Sequence, residues 1–443
     1  MTGRAGRFTY VGFDVEPELD RVTCRYRLDD REFREEISFP GGGDWAQPAA
    51  VEAARLLFLL SGVSYYKAGA PPVIDLGDTA ITPLERSFLL SYHLDGLGEF
   101  AHRNGLDLSD LRIEEGPTLT RAAPTPYTPK IGRPLIPFGG GLDSIVTVEL
   151  VRPLGDDAAL FVVNRPGDRF SAIEQPAAVT GLPVVRAERV LDEQILRSRE
   201  LGFLNGHVPV TGIISAIAVL AAVLDGRDAV VMSNEWSASS ATLVVDGRPI
   251  NHQYSKSDQF ETALRGVLDE ALGGSPAYFS LLRASSELWI AREFAELPQY
   301  LTHFHSCNRA FHIDRSVRQA QWCGRCDKCC FIDLVLAPFV PAEALRTVFT
   351  GREPLEEPEL LGTFRRLLAL DPDAKPWECV GDETECRVAA RLAMQRPDRA
   401  GNEVLAALVS ASAGHADPAV AALLAPLSEH HIPERYAPAA LLG

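Results

Sequence analysis

At 443 residues the chain is long enough for two or three domains. Hydrophobic residues at 46% and charged residues at 23% exclude a mainly disordered polymer. A formal net charge of −17 repels phosphate backbones and anionic bilayers, so neither nucleic acid nor membrane is an expected partner. Residues 8–15, 21–28 and 32–39 alternate in character and predict an antiparallel meander with one solvated face. Helices with an apolar stripe follow over 48–61 and 83–104. Residues 117–134 hold five prolines and no periodicity, which marks a domain boundary.

Beyond it the pattern changes to strand, glycine turn, helix. Residues 135–138 read as a short strand and 144–152 as a helix. Residues 158–163, 183–186 and 229–233 are further apolar strands, and 209–224 is a helix apolar on every side. Such alternation predicts an α/β fold, a parallel sheet covered by helices on both faces. The expected units are an α+β N-terminal domain over 1–125, an α/β domain over 126–300, and a cysteine-rich segment with a helical C-terminal region over 301–443. Residues 212–224 are the longest nearly pure apolar run, well short of the ~20 residues that span a bilayer. Met1 opens a polar stretch with no apolar core behind it, so the expected location is cytoplasmic. Reduced thiols there make the eight cysteines candidate ligands, nucleophiles or core fillers. Of 43 basic residues only five are lysines (Lys67, Lys130, Lys256, Lys328, Lys375), leaving few primary amines for chemistry.

Gly139, Gly140, Gly141, Leu142, Asp143 and Ser144 form the turn between a strand and a helix. Glycine lets the backbone approach a ligand, and the free N–H groups of the helix start attract phosphate oxygens. Ser144 can donate to the same oxygens, and Asp143 can hold magnesium or orient the loop. No Lys-Ser/Thr pair follows at Walker A spacing. The three glycines alone also fit a tight turn. Cys307 is followed by Cys323, Cys326, Cys329 and Cys330 in WCGRCDKCC. A Cys-x2-Cys turn aims two thiolates at one metal, and four sulfurs suit a structural zinc. Cys307, Cys323, Cys326 and Cys329 are the expected ligands, with Cys330 as the substitute; buried free thiols and an iron–sulfur cluster are the alternatives. Three polar runs fall near the sheet's carboxyl edge: Asn205 to Pro209 with His207, Ser233 to Trp236 with Asn234 and Glu235, and Asn251 to Lys256 with His252 and Tyr254. The last follows a turn at Asp246 and Gly247. Each run also fits a capped turn.

The loop resembles the SGGxDS pyrophosphate loop of the PP-loop (N-type) ATP pyrophosphatases, with Gly139 in place of the serine. The strings GVSYYKAGAPP, GLGEFAHRNGLDL, PFGGGLDSIVTVEL, LNGHVPVTGIISAIAVLAAVL, VVMSNEWSAS, NHQYSKS, FSLLRASSELWIAR and WCGRCDKC are similar to the UDP-N-acetyl-α-D-muramoyl-L-alanyl-L-glutamate epimerases, the MurL family. That resemblance implies ATP-dependent inversion of the terminal glutamate of a peptidoglycan precursor, with AMP and pyrophosphate as co-products. It implies that Gly139, Gly140, Gly141, Asp143 and Ser144 cradle the pyrophosphate of ATP with Mg2+, and that Lys256 neutralises phosphate or a developing oxyanion. Glu235, His252, Tyr254 and His207 become the proton-transfer candidates. Lys67, Arg103, Asn205 and Asn234 become candidates for holding the small-molecule substrate, UDP-MurNAc-L-Ala-L-Glu or a related peptide. The competing functions are an amide- or nitrile-forming synthetase of the same fold, a tRNA-modifying relative, and a nucleotide-binding module without turnover.

Overall fold

The computed structural model describes residues 4–155, 157–245, 247–312, 315–371, 376–378 and 380–440. Strands β1 (Phe8–Glu16), β2 (Arg21–Leu28) and β3 (Arg31–Ser38) form the expected antiparallel meander. Its cause is visible in β2, where Val22, Cys24, Tyr26 and Leu28 are buried while Arg21, Arg25 and Arg27 alternate with them. Two short edge strands, β4 (Val73–Asp75) and β5 (Arg112–Ile113), continue the sheet in parallel. The α/β part contributes β6 (Lys130–Pro137), β7 (Ala159–Asn164), β8 (Val184–Val190) and β9 (Arg227–Met232). A separate hairpin, β10 (Leu243–Val245) and β11 (Arg248–Ile250), follows; Asp246 of its predicted turn lies outside the described residues. Strand β12 (Ala277–Ser280) completes the set.

Ten of these strands make one sheet in the order β12-β9-β6-β7-β8-β3-β2-β1-β4-β5. All pairings are parallel except β8–β3, β3–β2 and β2–β1. The meander joins the α/β part where β3 pairs with β8, and the Arg189 guanidinium donates to the buried Glu35 carboxylate across that seam at 2.7 Å. Helices pack on both faces. Val210–Leu224 and Asp258–Leu272 share one core with the meander; Leu142–Val151, Ser171–Thr180 and the C-terminal helices build the other. Among the described residues no helix is long and apolar enough to cross a membrane.

Two features of this arrangement position the site. In the β8-β7-β6-β9-β12 portion the chain leaves β6 toward β7 on one side and later returns to β9 on the other. The gap beyond β6 and β9 is the topological switch point, where open α/β sheets bind ligands. The predicted helix 83–104 is instead two helices, Pro83–Leu94 and Gly98–Asn104. At Gly96, between the two helices, a Cβ would lie 2.3 Å from the Tyr92 carbonyl oxygen and 2.8 Å from the Pro209 ring, so the Pro209 side chain packs directly on the backbone there. The second helix thereby carries Glu99 and Arg103 toward the loop before Val210.

Candidate active site

A cleft of about 370 Å³ opens at the switch point, lined by Gly139, Gly141, Asp143 and Ser144 on one side and by Asn234 and Lys256 on the other. Gly140 takes a φ of +75°, and a Cβ there would come within 2.2 Å of the Ala172 carbonyl oxygen, so only glycine fits. Gly139 has open space where a Cβ would stand. The first helical bond runs from Ile145 N–H to the Gly141 carbonyl at 3.2 Å. The N–H groups of Leu142, Asp143 and Ser144 precede it, in the first turn where no intrahelical acceptor exists. The Ser144 hydroxyl donates to the Gly141 carbonyl at 3.0 Å. His305 N–H donates to the Gly140 carbonyl at 3.0 Å, and Ser306 lies against Gly141, so the segment before Cys307 braces the turn.

Behind the turn lies a cluster of carboxylates that sequence reasoning saw only in part. Asp143 is joined by the buried Glu235, after β9, and the buried Glu287, at the start of helix Glu287–Ala295. Burial first, and then the Glu235 carboxylate, raise the Asp143 carboxyl to about 6, against the opposing fields of Lys328 and Lys256. Burial, Asp143 and Glu235 push the Glu287 carboxyl well above its usual range. Glu385, which accepts from Leu288 N–H at 3.0 Å, is pushed up to about 8, chiefly by burial. Buried Arg283 organises this region. Its guanidinium donates to Glu261 at 2.8 and 3.0 Å, to the Glu235 carbonyl at 3.0 Å and to the Lys256 carbonyl at 2.7 Å. Asn234 is buried and fixed by reciprocal 2.7 Å bonds with Ser280. Glu287 and its Ser286 cap carried the signal of a helix start following a strand; Lys328 and Arg283 carried none.

The remaining polar candidates form a second group. His207 and His252 meet with ring centroids 4.4 Å apart, and Glu99 joins them with an oxygen 2.5 Å from His252 Nδ1 and 3.9 Å from His207 Nδ1. Arg103 holds the other Glu99 oxygen at 2.9 Å and lies over the Trp377 ring. Lys67 is buried and donates to Asn205 Oδ1 at 3.1 Å and to the Gly206 carbonyl at 3.4 Å. Burial lowers the Lys67 ammonium, and burial followed by His252 brings His207 down to about 4. The charge of Lys256 is felt by both Asp143 and His207, so it lies within electrostatic range of both groups. Tyr254 lies elsewhere: its ring packs on Phe260 in the core, and its hydroxyl has no hydrogen-bond partner among the described residues.

Four cysteine sulfurs converge in the structure. The Sγ atoms of Cys307, Cys323, Cys326 and Cys329 lie within 4.8 Å of one another. Separations of 3.4 Å (Cys326 to Cys329), 3.6 Å (Cys323 to Cys329) and 4.0 Å (Cys307 to Cys326) compare with the edge of about 3.8 Å expected for tetrahedral zinc–thiolate bonds. Gly324, at φ +65°, turns the knuckle, and Cys326 N–H donates to Cys323 Sγ at 3.4 Å. Cys330, one residue on, is buried in the adjoining core instead.

The MurL N-terminal domain matches residues 1–281 and the MurL C-terminal domain matches residues 303–423. A UDP-N-acetyl-alpha-D-muramoyl-L-alanyl-L-glutamate epimerase of Salinispora tropica is 41% identical over 447 aligned residues, covering 98% of this chain and 96% of the relative. Proteins of the same name from Xanthomonas oryzae pv. oryzae and Micromonospora sp. are each 37% identical. These alignments cover 96% and 98% of this chain and 95% and 98% of the relatives. No solved structure matches the chain. With both domain matches and relatives of this identity along nearly its whole length, the chain belongs to the MurL family of epimerases.

Proposed function

We propose that this isomerase inverts the terminal L-glutamate of UDP-MurNAc-L-Ala-L-Glu to D-glutamate at the expense of ATP, through a PP-loop type of adenylation that releases AMP and pyrophosphate. The relatives' names supply the substrate class. The observation that carries the adenylation is the glycine turn, which lines a cleft at the switch point together with Asp143 and Lys256. A free carboxylate opposes loss of the α-proton, because a dianion would form beside it. Transfer of AMP to that carboxylate makes a mixed anhydride, which acidifies the α-carbon. Because alanine acylates the glutamate nitrogen, the alanyl amide oxygen can attack the activated carboxyl, breaking the acyl–phosphate bond and expelling AMP as the amide N–H proton is lost, to close an oxazolone whose α-proton leaves readily. Reprotonation on the other face and hydrolysis complete the inversion. Magnesium on the triphosphate would be held by Asp143, with Glu235 adding to the negative field, and would supply charge neutralisation.

The test is incubation with ATP, Mg2+ and UDP-MurNAc-L-Ala-L-Glu in deuterium oxide. AMP, pyrophosphate and D-glutamate are expected together, with deuterium at the glutamate α-carbon. D-Glutamate formed without ATP overturns the adenylation step, and an ammonia-dependent amide product assigns the chain to the synthetases instead.

A structural zinc on Cys307, Cys323, Cys326 and Cys329 belongs to the same proposal, supported by the sulfur separations. Its role follows from the brace between residues 305–306 and the glycine turn. Cys326→Ser is expected to lose the zinc, to lower the melting temperature, and to raise KM for ATP several-fold. Elemental analysis, thermal unfolding and pyrophosphate release check the three effects; an unchanged metal content excludes the assignment.

A further inference from the structure

Beyond the carboxyl end of β9 the main chain is tied down on the side away from the cleft. Asn234 N–H donates to the Ser280 hydroxyl, which donates back to the Asn234 carbonyl, both at 2.7 Å. Arg283 holds the Glu235 carbonyl at 3.0 Å, and Trp236 N–H donates to the Ser285 carbonyl at 3.0 Å. The side chains of Ser233 and Asn234, two residues that line the cleft, are bonded to nothing among the described residues. The Ser233 hydroxyl is buried without a partner, and Asn234 is only 6% exposed with its carboxamide unused. Buried polar groups are nearly always paired, so two adjacent unpaired ones on a rigid cleft wall mark the place of a ligand. We infer that Ser233 and Asn234 seat the α-carboxylate of the substrate's terminal glutamate and hold one of its oxygens throughout the reaction. The inference rests on the epimerase reading given above.

Both groups supply neutral donors. A serine hydroxyl changes direction by rotation about χ1, and a carboxamide with no internal bond to set its flip turns its NH2 toward an oxygen anion. ATP carries such oxygens too, but the geometry of displacement favours the carboxylate. With pyrophosphate on the glycine turn, the attacking oxygen reaches the α-phosphorus in line from the far side, and Asn234 stands across the cleft from that turn. One carboxylate oxygen bonds to phosphorus as the bond to the bridging oxygen breaks, and pyrophosphate leaves with that electron pair. The other oxygen stays on the two donors. It becomes the carbonyl oxygen of the mixed anhydride and, once AMP is expelled, the ring carbonyl oxygen of the oxazolone. When the α-proton passes to a base, the electron pair of the broken C–H bond is drawn onto this same oxygen. Donors already in place act most strongly at that moment, when its charge is greatest.

Ser233→Ala and Asn234→Ala, made in the full chain, are assayed for binding of α,β-methylene-ATP with Mg2+, for the peptide KM in AMP formation, and for deuterium entry at the α-carbon. Binding of the nucleotide analogue is expected within about twofold of wild type, while the KM for UDP-MurNAc-L-Ala-L-Glu rises about tenfold. Deuterium entry at saturating substrate is expected to fall about 100-fold, the loss typical of one oxyanion donor. Ser233→Ala deletes only a hydroxyl without an internal partner, so the melting temperature of the ligand-free protein should not fall. If Asn234→Ala does not fold, Ser233→Ala decides alone. Deuterium entry within about threefold of wild type in the folded variants overturns the inference. So does loss of analogue binding in step with turnover, which assigns the donors to nucleotide phosphate. A lowered melting temperature in Ser233→Ala also overturns it, by giving the hydroxyl a structural role. Wild-type protein that forms neither AMP nor exchanged product overturns the epimerase reading, and this inference with it; active wild type with normal variants overturns the inference alone.

Discussion

Asp143→Asn is expected to suppress pyrophosphate release and inversion together, by about 10³-fold or more, while leaving the fold at least as stable as wild type. The loss of activity follows from removal of the one carboxylate that both belongs to the glycine turn and lines the cleft, where the adenylation proposed above would need preorganised groups to handle the charge of a transferring nucleotide. The stability result follows from linkage. A carboxyl raised from 3.8 to about 6 by burial and by Glu235 holds its proton longer in the folded than in the unfolded state. Its contribution therefore favours folding at low pH and turns into a penalty as pH rises from about 4 to about 6. Above that window the penalty is constant and reaches at most about 3 kcal/mol. Asparagine carries no charge and escapes it, so the variant gains on wild type at pH 7 and loses that advantage near pH 4. Denaturant titrations at the two pH values, beside AMP release, measure both halves. A variant less stable than wild type at pH 7 would show that the carboxylate is favourably solvated or paired rather than crowded.

The parts of this site legible in the sequence are those in which chemistry sits on a local backbone device. A glycine turn between an apolar strand and a helix identifies itself, because no other residue tolerates the Gly140 conformation against Ala172. Cysteine spacing works similarly, since a Cys-x2-Cys turn points two sulfurs one way regardless of context. Contacts made across the fold are another matter. Glu99 stands 153 positions from its partner His252, and nothing around it in sequence differs from a solvated glutamate in a first helical turn. Its burial depends on the break at Gly96, which periodicity alone read through because apolar residues continue on both sides. The edge strands β4 and β5 went unseen because three- and two-residue segments carry no period. Arg283 looked like one arginine among many, yet it is almost wholly buried, and only burial makes it a keystone.

That burial sets the other large expectation. Arg283→Met leaves the Glu261 carboxylate buried, still accepting from Ser280 N–H at 3.0 Å but without a counter-charge. Breaking one side of a buried ion pair costs about 3–5 kcal/mol, so urea unfolding should shift by that amount and expression should suffer. Such a loss by itself says nothing about the site. The double variant Arg283→Met with Glu261→Gln separates the two roles. It removes both charges and keeps the acceptor for Ser280, and replacement of a complete buried pair is often close to neutral, so most of the stability returns. Activity should not return with it. The guanidinium also ties the Glu235 and Lys256 carbonyls at 3.0 and 2.7 Å, and no uncharged side chain replaces those donors. Lys256, which lines the cleft and whose charge reaches both Asp143 and His207, then loses its fixed starting point. Pyrophosphate release in the double variant is expected to stay about 100-fold below wild type despite recovered stability, because misplacing a catalytic group by about 1 Å costs that much. If activity recovers along with the fold, Arg283 is a structural pair member only, and the placement of Lys256 has to come from its own loop.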